Sequence, residues 1–399
     1  MNNWKRNLFI MWLAQLSGMM TITFIMSFIP IYVAELGITE IHSKGFWAGI
    51  LMGASAFFAS FTGPIWGNVA DRYGRKIMVE RVLFSNAILT LLMAFAANVW
   101  QFLILRSIQG ILGGFVSAAI ALVTSFTPKE KVGAALGFFQ NAMIVGSTLG
   151  PLLGGILVDA GGFQLAFLVM ALFSLSAGLL VHFLVKEPFI TNSAKINESF
   201  WGSFRYLLSL KGLVALCLVN FLVQFGTMIV LPIVPTFLKV LDPSVKYLAT
   251  LTGIIIALGG VFAAISAALI GRLSDRYGHR RMLLIMTSGA AITFLATAGV
   301  TSISQFIFLR ILSGILLGGM LPTTNAMINS LIPADRRGTA FGITSSFGLL
   351  GNVVGPITGG ILPPLVTYRG VFMVTALLIF TAAWWVARNS STQSRLSQG

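Results

Sequence analysis

The sequence predicts an all-α integral membrane protein, with twelve transmembrane helices in two pseudo-symmetric six-helix bundles. Three observations carry that prediction. Charge is too sparse for a surface in water, the uncharged stretches have the length of a membrane crossing, and four sequence blocks recur half a chain later. Of 399 residues, 56% are hydrophobic and 9% charged, with a mean hydropathy of +0.91; ordinary globular chains carry roughly 25% charged residues. Twelve windows of eighteen or more residues contain no Asp, Glu, Lys or Arg: 7–34, 45–70, 82–105, 107–128, 132–158, 160–185, 212–238, 247–271, 282–309, 311–334, 338–368 and 370–387. A spanning helix needs about 20 apolar residues, so these windows read as spans 1 to 12. A soluble helical core is excluded, because apolar surface on this scale would aggregate in water.

The net charge of +15 invites a nucleic-acid reading, and its distribution rejects one. With twelve spans and the N-terminus inside, twenty of the 26 Lys and Arg fall on cytoplasmic segments, four (Lys44, Lys239, Lys246 and Arg369) fall outside, and Arg106 and Arg310 lie within spans. Excess Lys and Arg on cytoplasmic loops sets orientation, so both termini are expected in the cytoplasm and no nucleic-acid partner is expected. Met1–Arg6 and the run behind it read as the first span, since the apolar run is too long for a signal peptide. Cys217 is the single cysteine, which precludes an internal disulfide, and His42, His182 and His279 lack metal-ligand spacing.

Span 1 ends at FIPIYVAELG and span 7 at VLPIVPTFLK, with Pro30 and Pro235 in matching places. Proline within a span removes a backbone hydrogen bond and bends the helix. Span 2 leads into GNVADRYGRK, Gly67–Lys76, which returns after span 8 as GRLSDRYGHRR, Gly271–Arg281. Span 4 carries FLILRSIQGILGG with Arg106, and span 10 carries FIFLRILSGILLGG with Arg310. Span 5 has GSTLGPLLGGIL, Gly146–Leu157, and span 11 has GNVVGPITGGIL, Gly351–Leu362. A constant offset of 204 or 205 residues joins every pair. The chain is thus two copies of one unit: 1–185 and 212–388, joined by a polar cytoplasmic linker, 186–211, and followed by a small polar tail, 389–399, expected to be disordered. An amphipathic helix is expected in the linker over Phe200–Leu210.

Gly67–Lys76, the intramembrane arginine and the Gly-Pro run of span 5 resemble the three motifs of the twelve-span drug:proton antiporters of the major facilitator superfamily. The opening WKRNLFIMWLAQ and WQFLILR-x2-QG further resemble bacterial multidrug exporters of that family. The resemblance covers about Asn3–Arg388. It implies the major facilitator fold, residence in the bacterial cell membrane and export of amphipathic small molecules by proton-coupled alternating access. No cofactor is expected beyond the coupling proton, and a monomer is expected in the bilayer. In such a fold the substrate site lies between the repeats near mid-membrane.

The resemblance also implies roles. Gly67, Asp71, Arg72, Gly74, Arg75 and Lys76 would form a conformational latch, with Asp71 against the unpaired N–H groups that begin span 11, near Gly338. Gly271, Asp275, Arg276 and Gly278 would be the twin, with Asp275 against span 5 at Gly133. The plainer reading is a solvated loop that sets topology. Arg106 and its repeat partner Arg310 would serve proton coupling or charge balance. An arginine at that depth costs about 2.5–3.5 kcal/mol on insertion scales and should face the bundle interior, unless it snorkels outward.

Gly146, Gly150 and Gly154, with Pro151 and Gly155, form the motif that distinguishes antiporters in the family. Glycines four apart leave one bare helix face that admits a neighbouring backbone. That neighbour is expected to be span 8, through Gly253, Gly259 and Gly260; in span 11 the matching face is expected against span 2. Candidate cavity residues are Gln15, Met19, Phe24, Gln140, Asn141, Met143, Asn220, Gln224, Phe225, Met228 and Asn325, since methionine and aromatic side chains adapt to many ligand shapes. Helix packing is the alternative for each. None of the 11 acids lies deep in a span; Glu35 and Asp159, at span ends, are the nearest candidates to carry a proton. That scarcity keeps two rivals open on the same fold: a lipid or glycolipid translocase, and a metabolite symporter or exporter. An enzyme is not expected, because no nucleophile, base or metal-ligand cluster falls within the spans.

Overall fold

A computed structural model describes residues 3–187, 207, 209–332 and 337–389. Most of the expected linker helix, Phe200–Leu210, and residues 390–399 of the tail lie outside them, as do the surroundings of Gly67, Gly338 and the Asp71 side chain. Ten described helical segments are long and apolar enough to cross a membrane. One of them, Lys129–Leu184, holds two spans, because the helix breaks at Gly161 and at Gly162 with φ 77°. Span 3, Arg75–Met93, makes the twelfth; Arg75, Lys76, Glu80 and Arg81 crowd its first two turns and lower its hydropathy.

Span 1 is Asn3–Glu35, span 2 is Ile41–Tyr73, span 8 is Leu248–Tyr277, and span 9 is His279–Ala298. Span 4 is split into Val99–Ile111 and Phe115–Phe126, with Gly114 at φ 97°. Span 10 is split likewise into Ile303–Gly318 and Met320–Leu331, at the repeat-related place. Span 7 runs Lys211–Val230, through a 3₁₀ turn holding Pro232, to Val234–Leu241. Span 11 is Arg337–Ile361, and span 12 lies within Pro363–Asn389, after an irregular Thr367.

Contacts divide the chain into two compact units: Met1–Ala194 with Val245–Ala257, and Lys195–Ser244 with Leu258–Gly399. The repeat boundary alone would have kept span 8 whole. Its first turns join the first unit because span 5 meets them along glycine and proline backbone.

Within each unit the same aromatic wedge fills the interior. Tyr32 packs on Phe102 at 5.2 Å and on Phe167 at 5.2 Å between ring centroids. Their repeat partners Phe237, Phe306 and Phe372 pack at 4.9–6.1 Å. Apolar side chains also cover the outside, among them Ile88, Leu92, Leu172 and Phe183 in the first unit and Ile292, Leu295, Leu377 and Phe380 in the second. Such a surface is stable only against hydrocarbon, where helices satisfy their own backbone.

Candidate transport site

The loop after span 2 turns at Gly74 with φ 102°, and the one after span 8 at Gly278 with φ 91°. Side chains rarely adopt those angles, which accounts for a glycine at both places. Beyond the first turn, span 3 begins with free N–H groups, and Glu187 covers them: its carboxylate accepts from the Arg75 N–H at 3.0 Å and the Lys76 N–H at 2.9 Å. The Lys76 ammonium donates to the His182 carbonyl at 2.7 Å and pairs with Glu80 at 3.5 Å. Arg72 lies over the Tyr73 ring and Arg276 over Tyr277, each at 5.5 Å. Asp275 is three-quarters exposed (75%), with His279, the first residue of span 9, 3.8 Å away across the Gly278 turn. The two residues flank the Gly278 turn four positions apart, so the pair is local to the loop.

Arg106 is 1% exposed and points into the unit. Its Nε donates to the Leu51 carbonyl at 3.2 Å, and its Nη1 donates to Gln109 Oε1 at 2.6 Å. Gln109 Nε2 then donates to Asn86 Oδ1 at 3.1 Å. A hydrogen-bonded chain thereby ties spans 2, 3 and 4 around a buried cation, and Arg106 Nη2 has no hydrogen-bond partner. Arg310 is held differently. Ser313 and Ala290 stand where Gln109 and Asn86 stand in the first copy. The Arg310 guanidinium instead lies 5.2 Å from the centroid of Phe306 and 5.8 Å from that of Phe294. Among the described residues, neither arginine pairs with a carboxylate.

The bare face of span 5 meets span 1 rather than span 8. A Cβ on Gly146 would stand 2.7 Å from the Leu16 carbonyl oxygen, and one on Gly150 2.5 Å from that of Met20. Gly154 leaves room for the rings of Phe24 and Phe28. Span 8 meets the adjoining face, where Gly253 lies against the Pro151 backbone and Gly155 against Ala249 and Thr250. Gly259 packs on Gly314 of span 10. In span 11, Gly351, Gly355 and Gly359 abut Phe225, Met228 and Ile229 of span 7. The repeat makes this consistent: in each copy the fifth helix lies on the first.

Asp159 closes the span 5 motif region. Its Oδ2 accepts from the Thr250 N–H at 2.7 Å. Thr250 is the third residue of span 8, whose first N–H groups have no partner within their own helix. Asp159 therefore supplies from another helix the acceptor that an N-cap residue would give. Glu35, the other span-end acid, is exposed and has no hydrogen-bond or ion-pair partner among the described residues.

The expected cavity residues separate into several environments. Phe24 is wholly buried (0%) and packs on Phe167 at 5.3 Å, so it is a core residue and not a wall. Its position opposite Gly154 explains this, since the glycine leaves a recess that a ring fills. Gln15 is buried, with Oε1 unpartnered, and Met19 lies partly buried beside Gly146. Gln140, Asn141 and Met143 are exposed on span 5. In the second unit, Asn220 Nδ2 donates to the Thr344 carbonyl at 2.8 Å, joining spans 7 and 11. Gln224, Phe225, Met228 and Asn325 are partly buried, and Phe225 stacks on Phe221 at 5.5 Å.

Twelve spans in duplicated halves, with paired glycine-turn loops and a buried arginine, define a secondary-transporter architecture. The Major Facilitator Superfamily profile matches residues 11–265 and again 216–399, and the chain belongs to that superfamily. Multidrug resistance protein MdtG of Rahnella sp. (strain Y9602) is 33% identical over 397 residues, covering 99% of this chain and 96% of that protein. MdtG of Serratia proteamaculans (strain 568) is 34% identical over 396 residues, covering 98% and 96%. Among solved structures, a bacterial homolog of the human lysosomal transporter Spinster superposes with a TM-score of 0.82, at 17% identity and 98% coverage of both chains. A D-xylose-proton symporter gives 0.77 at 15% identity, covering 95% of this chain and 97% of that one. Those two structures show the shared fold.

Proposed function

We propose that this transporter exports chemically varied amphipathic small molecules in exchange for protons, from the bacterial inner membrane, as a monomer with both termini in the cytoplasm. The observation that carries the proposal is similarity along the whole chain, at 33–34% identity, to proteins named for multidrug resistance. The orientation follows from the placement of Lys and Arg. The described geometry supports an antiporter, because span 5 presents two glycine faces at once, to span 1 and to the start of span 8. A seam of bare backbone excludes water yet allows sliding, which alternating access requires.

Proton exchange is tested in inverted membrane vesicles with an imposed pH gradient and a panel of cationic, neutral and anionic amphiphiles. Uptake of several chemical classes, abolished by collapsing the gradient, is the expected result. Equal uptake under a Na⁺ gradient, or with no gradient, overturns proton coupling; uptake of a single compound class overturns broad specificity. Lipid movement without drug uptake would favour a translocase.

A further inference from the structure

At the end of the first unit where span 1 finishes lies a cavity of about 460 Å³. Tyr32 and Glu35 of span 1, Phe95 beyond span 3, and Gly162, Phe163 and Gln164 at the start of span 6 form most of its wall. Small-molecule sites have volumes of about 300–1,000 Å³. None of the cavity residues considered for export lines it, so it is separate from the proposed substrate path.

Its chemistry is one-sided. Glu35 is its only charged residue, and no Lys, Arg or His lines it. Spans 1 and 3 both end here, and the C-terminal ends of helices carry partial negative charge. The span 6 start opposes them with a partial positive end, which is smaller than the full charge of a carboxylate. One exposed aromatic ring completes the wall: Phe95 is 64% exposed, whereas Tyr32 and Phe163 are buried and pack on each other at 4.8 Å between centroids. The Tyr32 hydroxyl is already engaged, donating to the Met93 carbonyl at 3.1 Å.

Elimination narrows the ligand. An anion would sit beside an unpaired carboxylate. Calcium sites draw their affinity from the number of charged ligands, and this wall supplies a single carboxylate. A neutral apolar molecule would strip water from Glu35 and return no partner. An ammonium group satisfies both parts of the wall, since carboxylates and aromatic faces attract the same cation. We propose that this cavity binds an organic ammonium group, carried by a soluble amine or by the headgroup of an aminophospholipid.

The test uses the full-length protein in nanodiscs, with Ala97→Cys as a reporter on the cavity wall. The native Cys217 is buried, so a hydrophilic maleimide reports on the cavity alone. Benzyltrimethylammonium is expected to slow labelling in phosphatidylglycerol discs, while benzyl alcohol at equal concentration does not. Glu35→Gln should raise the half-protecting concentration about fivefold or more, a ratio typical of a lost cation–aromatic or ion-pair contribution. Phe95→Leu should also raise it, which keeps the test open if Glu35→Gln does not fold. Absence of protection, equal protection by benzyl alcohol, or undiminished protection in both variants would overturn the proposal. Given protection, slower labelling in phosphatidylethanolamine discs without added amine assigns the site to the lipid headgroup. Equal rates in the two discs assign it to a soluble amine.

Discussion

Asp159 offers a choice between two roles that one pair of substitutions separates. As a proton carrier it must change its charge during turnover. As a cap it need only keep an oxygen 2.7 Å from the Thr250 N–H. Asp159→Asn keeps an oxygen acceptor and removes the charge, so a capping role predicts a small loss. The charge at a helix N-terminus contributes about 0.3–1 kcal/mol. Asp159→Ala removes the acceptor as well, and loss of a capping side chain costs about 0.5–2 kcal/mol. The contact is partly buried, and Gly155 and Gly253 hold the two backbones too close for water to replace the oxygen easily, so the upper half of that range is expected. The assay pairs thermal unfolding of the purified protein with substrate uptake driven by a pH gradient. The order wild type, Asn, Ala is expected for melting, and Asn should retain gradient-driven uptake. An Asn variant that melts like wild type but no longer responds to the gradient would refute the capping argument and make Asp159 the carrier. An Ala variant equal to wild type in both measurements would show that the contact contributes nothing.

Gly150→Ala should sharply reduce folded protein, because its Cβ would meet the Met20 backbone and Thr23, and overpacking costs about 1–3 kcal/mol. Gly133→Ala, with nothing within 4 Å, is the matched control; gel-filtration yield from membranes reads both. Arg106→Lys should lower the melting temperature and uptake together, since lysine cannot reproduce the bonds to Leu51 and Gln109 at once. Leaving Gln109 or Asn86 unsatisfied costs roughly 1–3 kcal/mol. Arg310→Lys should be milder, as a lysine can still lie against Phe306; an equal or larger effect would contradict the difference between the two sites. Glu187→Ala should destabilise by about 0.5–2 kcal/mol through the exposed N–H groups of span 3. Glu187→Gln should fall between it and wild type in the same melt.

The spans and the duplication were legible in the sequence because lipid imposes a one-dimensional rule: about 20 residues without charge, then a basic turn. Partners were not legible from the same signal. Gly146, Gly150 and Gly154 announce that a backbone comes close and say nothing about which one; span 8 was expected, and span 1 holds that face. Phe24 looked like a cavity wall because an aromatic side chain in a span serves a ligand or a core equally well, and only the recess at Gly154 decides for the core. Asn86 and Gln109 left a signal that was available. Each is polar in the first copy and replaced, by Ala290 and Ser313, in the second, while the arginine they serve is kept. A position where two copies of one unit disagree around a residue they share is where their duties have parted. By that reasoning Arg106 is a hydrogen-bonded charge that braces three helices, and Arg310 is a cation resting on rings without that brace. Spans 4 and 10 are thus equivalent in topology and unequal in work, and the Arg→Lys pair measures how unequal.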